Sequence, residues 1–285
     1  MKRRMLKAIL IPIAAIVSVL ALTFAVFAIG FAGYRFERYS PAVDTDPLDR
    51  KAMLALISKS KDTLTDEDYD TLFLQTGLTR IGVDSFLDRA DPYGIIEVQT
   101  SYFGEYTQWE ERFAPLCNSM KLDRKAELAP IRDGDIVIIP STQFSFWDVG
   151  HVALVIDARE GIILESTGAG EQSRLSSLWK HADCASFMIF RPRVDEATLA
   201  AITDYAEREL VGISYDPTIG ILSPKHHDGI PRTNCSHIIW YAFMQYGIDL
   251  DPDGGAVVSP RDIAASPHLD LVQIFGISPT GFEWR

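Results

Sequence analysis

From Ala8 to Gly33 the chain carries no charged side chain; Ser18 and Thr23 are its hydroxyls, and Pro12 stands near its start. At about 1.5 Å per residue this stretch predicts roughly 39 Å of helix, enough to cross a hydrocarbon core about 30 Å thick. Lys2, Arg3, Arg4 and Lys7 precede it and Arg35 and Arg38 follow, a bias that keeps the N-terminus inside and the bulk of the chain outside. The competing reading is a cleaved signal peptide with Val26-Phe27-Ala28 as its small-x-small site, although the stretch exceeds the usual apolar length of about 7–15 residues. Residues 1–33 are therefore expected to be a single-pass transmembrane anchor or a signal segment. Either way the working part is extracytoplasmic, at the cell membrane or secreted. No cysteine follows closely, which speaks against a lipid anchor.

Residues 34–47, with Pro41 and Pro47, read as a linker. Asp49 to Ser58 then places Met53, Leu54, Leu56 and Ile57 at helical spacing. A second helix opens at Thr65, with Asp66, Glu67 and Asp68 in the first turn where the helix dipole favours acids, and stops at Gly77. Residues 101–113, with Tyr102, Phe103, Tyr106, Trp109 and Phe113, read as an amphipathic helix whose aromatic stripe is core. Residues 48–125 are thus expected to form a helical extension.

After Pro130 the period changes. Asp133-Gly134 signals a turn, and Ile136 to Ile139 is a short buried strand ended by Pro140. His151 to Ile156 and Gly161 to Glu165 predict a hairpin joined through Asp157 to Glu160, and Ser186 to Arg191 predicts a further strand. Asp195 to Leu210 and Cys235 to Tyr246 predict helices, the second closed by Gly247. The expected class is α+β, an antiparallel sheet packed against helices over residues 130–275, with 276–285 as a C-terminal tail.

Composition narrows the function. With 47% hydrophobic and 23% charged residues the chain can build a core, which excludes a disordered polymer. Six of its Lys and Arg lie in residues 1–38 beside one acid. The remainder holds 21 basic against 38 acidic residues, a balance that excludes a nucleic-acid partner and disfavours anionic polymers and lipids. The three cysteines do not make a disulfide scaffold. Cys117 and Cys184 could pair in an oxidising compartment and leave Cys235 free.

Cys235 follows the polar Asn234 at a predicted helix start, where unpaired backbone N–H groups favour a thiolate; the alternative is an inert structural cysteine. A thiolate nucleophile needs a base, and His151 opens an apolar strand directly after Gly150, which leaves the approach to its ring open. His237 lies two residues beyond Cys235 on the same helix and points away from it, while His181, His226, His227 and His268 sit in polar stretches and read as solvated. If the hairpin register places Glu165 opposite Ala153, Glu165 shares the face of His151 and can orient it; a slip of one residue would remove it.

Gly134-Asp135-Ile-Val, Gly150-His151-Val-Ala-Leu-Val, Ile163-Leu164-Glu165-Ser166 and Asn234-Cys235-Ser236, in that order, resemble the YiiX/YebB type of permuted papain-fold proteins, relatives of the NlpC cell-wall peptidases. The block Val258 to Pro267 resembles the C-terminal stretch of that family. The resemblance implies a circularly permuted papain-like fold over about half the chain. It implies Cys235 as nucleophile, His151 as base, Glu165 as the third polar residue, and Tyr215 as an aromatic beside the substrate. Many relatives carry an acid where His237 stands, which bears on substrate preference.

Other chemistries lack their motifs: there is no G-x-S-x-G, G-x-x-x-x-G-K-[ST] or H-E-x-x-H. His226-His227-Asp228 has no partner at ligand spacing, so neither a metal nor a cofactor is expected. The expectation is a membrane-tethered cysteine hydrolase of the amidase or peptidase kind, acting on a peptide, amide or N-acyl bond, cell-wall peptide or lipid among the candidates. A thioester-based lipid acyltransferase and a catalytically silent binding module are the alternatives.

Overall fold

The computed structural model describes residues 16–23, 37–41, 43–114, 117–144, 147–226 and 229–280. Contacts divide the chain into residues 1–36 and 37–285. In the first unit residues 16–23 form helix α1, with Ile16, Val17, Val19, Leu20 and Leu22 exposed. Among the described residues no helix is long and apolar enough to cross a membrane. The rest of the charge-free stretch, including Val26-Phe27-Ala28, lies outside the described residues.

The second unit is α+β, with antiparallel sheets packed against helices. It opens with β1 (Glu37–Tyr39), α2 (Arg50–Ile57), α3 (Asp66–Thr76), α4 (Arg80–Leu87) and α5 (Tyr93–Tyr102). β2 (Tyr106–Ala114) and β3 (Cys117–Leu122) follow, then β4 (Ile136–Ile139), β5 (Thr142–Phe144), β6 (Trp147–Asp148), β7 (His151–Asp157), β8 (Ile162–Glu165), β9 (Arg174–Ser177) and β10 (Phe187–Pro192). The chain continues through α6 (Glu196–Glu209), β11 (Ser214–Tyr215), β12 (Arg232–Thr233), α7 (Cys235–Met244), α8 (Pro260–Ala264) and β13 (Leu269–Phe275).

A six-stranded sheet runs in the order β13-β10-β4-β7-β8-β9, and a five-stranded sheet in the order β1-β2-β3-β5-β6. The six-stranded sheet is covered on both faces. Val137, Ile139, Ala153, Val155 and Ile189 pack with Leu72, Val83, Ile95 and Val98 of the N-terminal helices. Ile136, Ile138, Val152, Leu154 and Met188 pack with Ile202 of α6 and Ile238, Ile239 and Ala242 of α7. Burial on both faces explains why Ile136–Ile139 is an unbroken apolar run rather than an alternating one. The buried Asp135 carboxylate and Arg191 form a two-pronged pair, with Nε–Oδ1 at 2.9 Å and Nη2–Oδ2 at 2.8 Å. Arg191 also donates to Ser85 Oγ on α4 and to the Pro130 carbonyl, joining the helical layer to the sheet.

Local signals performed as expected at α3, where Thr65 and Asp68 form a capping box and Gly77 ends the helix at φ +70°. Two segments differ from expectation. Residues 101–113 are not one helix: α5 ends at Tyr102, and after Gly104 the aromatic-rich stretch is strand β2, paired with β3 from Gln108–Leu122 onward. Aromatic residues satisfy either element, and the distant partner strand decided between them. The stretch 48–125 is accordingly four helices followed by two strands. Glu37–Tyr39, placed in the linker, instead pairs with β2, and the Tyr39 hydroxyl donates to the Ala185 carbonyl at 2.5 Å.

Candidate active site

Cys235 is the first residue of α7. Asn234 caps that helix, its Oδ1 accepting from the His237 amide at 2.9 Å and from Ser236 Oγ at 3.2 Å. Ser236 Oγ contacts the Val258 carbonyl at 2.6 Å, which ties the helix start to the chain segment leading into α8. Two parallel pairs, Ser214–Arg232 and Tyr215–Thr233, set Tyr215 beside the same helix start.

His151 is the first residue of β7, on the far side of Gly150. That glycine sits at φ +70°, where a Cβ would strain the backbone, and a Cβ would also press on Pro260 at 3.2 Å. Its role is to turn the chain tightly against α8, rather than to clear space around the imidazole.

The hairpin register is Ala153–Glu165, Leu154–Leu164 and Val155–Ile163. His151 and Glu165 therefore share one sheet face, as the sequence anticipated. His151 Nε2 lies 3.1 Å from Glu165 Oε2, and since a carboxylate accepts, Nε2 carries the proton. His151 is also hydrogen-bonded to Cys235, for which Nδ1 is the remaining ring nitrogen. Burial pulls the His151 imidazolium down, but Cys235 and Glu165 together push it up to about 9. For Cys235 burial acts upward; His151 and the Val152 and Ser236 amides outweigh it and hold the thiol below its ordinary value. Both shifts favour the thiolate–imidazolium form of the pair over the neutral one.

Glu165 is fully buried and carries more than His151. Lys180 is ion-paired to Oε1, Arg174 Nε approaches Oε1 at 3.6 Å, and His181 Nε2 lies 3.4 Å from Oε2. Burial opposes its charge, yet His151 and His181 hold the carboxyl far below the usual carboxylate range. His181, expected to be solvated, is buried, and desolvation takes it down to about 4, so it is neutral at pH 7. Arg174 is set opposite Glu165 by the pairing of β9 with β8, a strand not anticipated from the sequence. Lys180 ends a short 3-10 helix (Leu178–Lys180) and His181 caps it, and neither gave a local signal.

The remaining histidines divide cleanly. His237 is buried, donates from Nε2 to the Lys225 carbonyl at 2.9 Å and lies 3.0 Å from Thr233 Oγ1 through Nδ1, so it serves the helix and not the thiol. His226 and His268 are exposed, and His227 and Asp228 lie outside the described residues.

Cys235, His151 and Tyr215 line a cleft of about 740 Å³, closed by Thr142, Phe144, Asp148, Val149 and Gly150 on one side and Val257 to Arg261 on the other. Burial, and then the Cys235 thiolate, raise the Tyr215 phenol far above its ordinary value, so Tyr215 stays neutral beside the nucleophile. Cys117 also lines the cleft, and all three cysteines are free thiols. Cys184 bridges to Lys121, four residues along β3 from Cys117, a separation of about 13 Å that excludes a Cys117–Cys184 disulfide in this fold.

His151, Glu165 and His181 bring ligand atoms within 4.8 Å of one another, as do Asp251, Asp253 and Asp262. The Lys180 and Arg174 cations on Glu165 oppose a metal ion at the first cluster, and Lys225, 2.5 Å from Asp251 Oδ2, opposes one at the second.

Over 47 residues the chain is 45% identical to the uncharacterized protein YycO of Bacillus subtilis, a match covering 16% of this chain and 18% of that protein. No family model matches the chain, and no solved structure matches it.

Proposed function

We propose that this chain is a cysteine hydrolase with a circularly permuted papain-like catalytic unit. The observation that carries this reading is one imidazole, His151, hydrogen-bonded to Cys235 on one side and to Glu165 on the other. The Cys235 thiolate would attack the carbonyl carbon of an amide or ester, with the Cys235 amide at the helix start stabilising the oxyanion. The C–N or C–O bond then breaks as the His151 imidazolium gives its proton to the leaving group. The resulting thioester is hydrolysed by water, whose proton passes to His151, releasing a carboxylic acid and restoring the thiolate. The order of histidine strand, glutamate strand and cysteine helix, together with the YiiX/YebB-type motifs, supports the permuted fold. Tethering of this unit outside the membrane by the N-terminal segment belongs to the same proposal.

The test is the alkylation rate of Cys235 against pH in the full chain, read by peptide mass spectrometry for wild type and His151→Ala. An unperturbed thiol titrates near pH 8.5. Fast labelling well below that value, slowed in the variant, supports the activated pair. An ordinary thiol profile unchanged by the substitution would overturn the reading.

A further inference from the structure

The walls of the cleft carry information about the substrate. Phe144, Val149 and Val257 all line it, and all three remain substantially exposed. Trp147, which pairs with Phe144 in the β5–β6 hairpin, is 75% exposed. Tyr215 and Pro260 extend the apolar lining towards Cys235. Among the described residues, the charged side chains lining the cleft besides His151 are one acid, Asp148, and one cation, Arg261. Asp148 is held by Gln143 Nε2 at 2.9 Å.

Apolar side chains scattered singly over a surface need no explanation, but a contiguous set around a nucleophile does. Pockets of roughly 300–1,000 Å³ with mainly apolar walls and a few convergent polar groups are built to take a ligand's hydrocarbon part. Among the described residues, a peptide rich in carboxylates would meet only Arg261 besides the His151 imidazolium, on a protein whose formal net charge is −12. An aliphatic chain would be desolvated against Phe144, Val149 and Val257.

We propose that the Cys235 site takes esters or amides bearing an aliphatic chain, which lies along Phe144, Val149 and Val257, rather than charged peptides. The proposal rests on the hydrolase reading and names its substrate class.

The experiment treats the full chain with N-methyl-, N-butyl- and N-octyl-iodoacetamide. The thiolate displaces iodide in each case, forming the S–C bond as the C–I bond breaks. Cys235 labelling is read by peptide mass spectrometry, and each rate is divided by that of a free small thiol with the same reagent. At about 0.8 kcal/mol per buried methylene, burial of about two of the added methylenes makes N-octyl outpace N-methyl by on the order of tenfold. Phe144→Ser and Val257→Ser should each flatten this dependence of rate on chain length. A thiol reactive well below pH 8.5 but indifferent to chain length would overturn the proposal while leaving the hydrolase standing. A thiol that titrates with the N-methyl reagent like a free cysteine would overturn the hydrolase reading itself.

Discussion

Glu165 Oε2 stands 3.1 Å from His151 Nε2 across 14 residues of chain because the β7–β8 hairpin pairs Glu165 with Ala153, two positions from His151 on the same face. One consequence is a bell-shaped pH profile for turnover. Cys235 is held below its ordinary value, so the acid limb lies well under that of a free thiol. His151 is raised to about 9, so above that pH the imidazolium that protonates the leaving group is lost. Turnover should fall on the alkaline side while alkylation of Cys235, which needs no proton donor, continues. Paired pH profiles of hydrolysis and alkylation check this, and a joint fall of both above pH 9 would contradict it.

Charge on Glu165 should set where the alkaline limb lies. Glu165→Gln removes the anion, so the His151 pKa drops, the limb moves to lower pH, and kcat falls by roughly 10²-fold. Lys180→Met removes the cation paired with Glu165, which leaves more negative potential at His151 and moves the limb to higher pH. Opposite displacements in the two variants are the expected result; a shift of the same sign in both would refute this account of the ion pair.

Asn234→Asp should separate capping from thiol activation. Aspartate can still accept from the His237 amide, so stability should change by a few tenths of a kcal/mol at most, whereas Asn234→Ala should cost about 1 kcal/mol. The added anion beside Cys235 disfavours the thiolate. Alkylation at neutral pH should therefore slow in Asn234→Asp, a result that urea titration and labelling kinetics together would establish.

Breaking the buried Asp135–Arg191 pair should be among the most damaging single changes outside the site. Arg191→Ala leaves the Asp135 carboxylate buried without its partner and cuts the links to Ser85 and Pro130, a loss of about 3–5 kcal/mol. Denaturant unfolding of the variant measures it. A loss below about 1 kcal/mol would mean that the pair does not hold the helical layer to the sheet.

His181 should contribute to acid sensitivity. Its folded pKa is depressed from 6.5 to about 4, so the unfolded chain binds a proton that the folded chain refuses as pH falls through this interval. The corresponding stability is complete above about pH 6.5 and is lost on the way down to 4. His181→Gln should flatten the dependence of unfolding free energy on pH between those values. An unchanged slope would show that His181 takes up its proton without unfolding.

Much of the site is local chemistry and was legible for that reason. Asn234 before Cys235 signals a helix start, and the thiol's exposure to helix amides follows from that position alone. The spacing of His151 and Glu165 is legible once the hairpin is recognised, since the two-residue period of a strand decides which side chains share a face. The helix at residues 66–76 is equally local, because its capping box and terminal Gly77 lie within reach of its own backbone.

Tertiary structure decided whatever depended on distant partners. The aromatic residues of β2 suit a helix or a strand equally until β3 supplies the hydrogen bonds, and β1 and β13 acquire strand character the same way. His181 and Lys180 carry no local sign of a role. They matter because the fold buries Glu165 completely, and a buried carboxylate requires nearby donors that the surrounding layers must supply. A helix cap and a strand's alternation extend over a few residues of backbone, so the chain specifies them by itself; the low-dielectric interior that makes Glu165 and its neighbours act together exists only after the layers close.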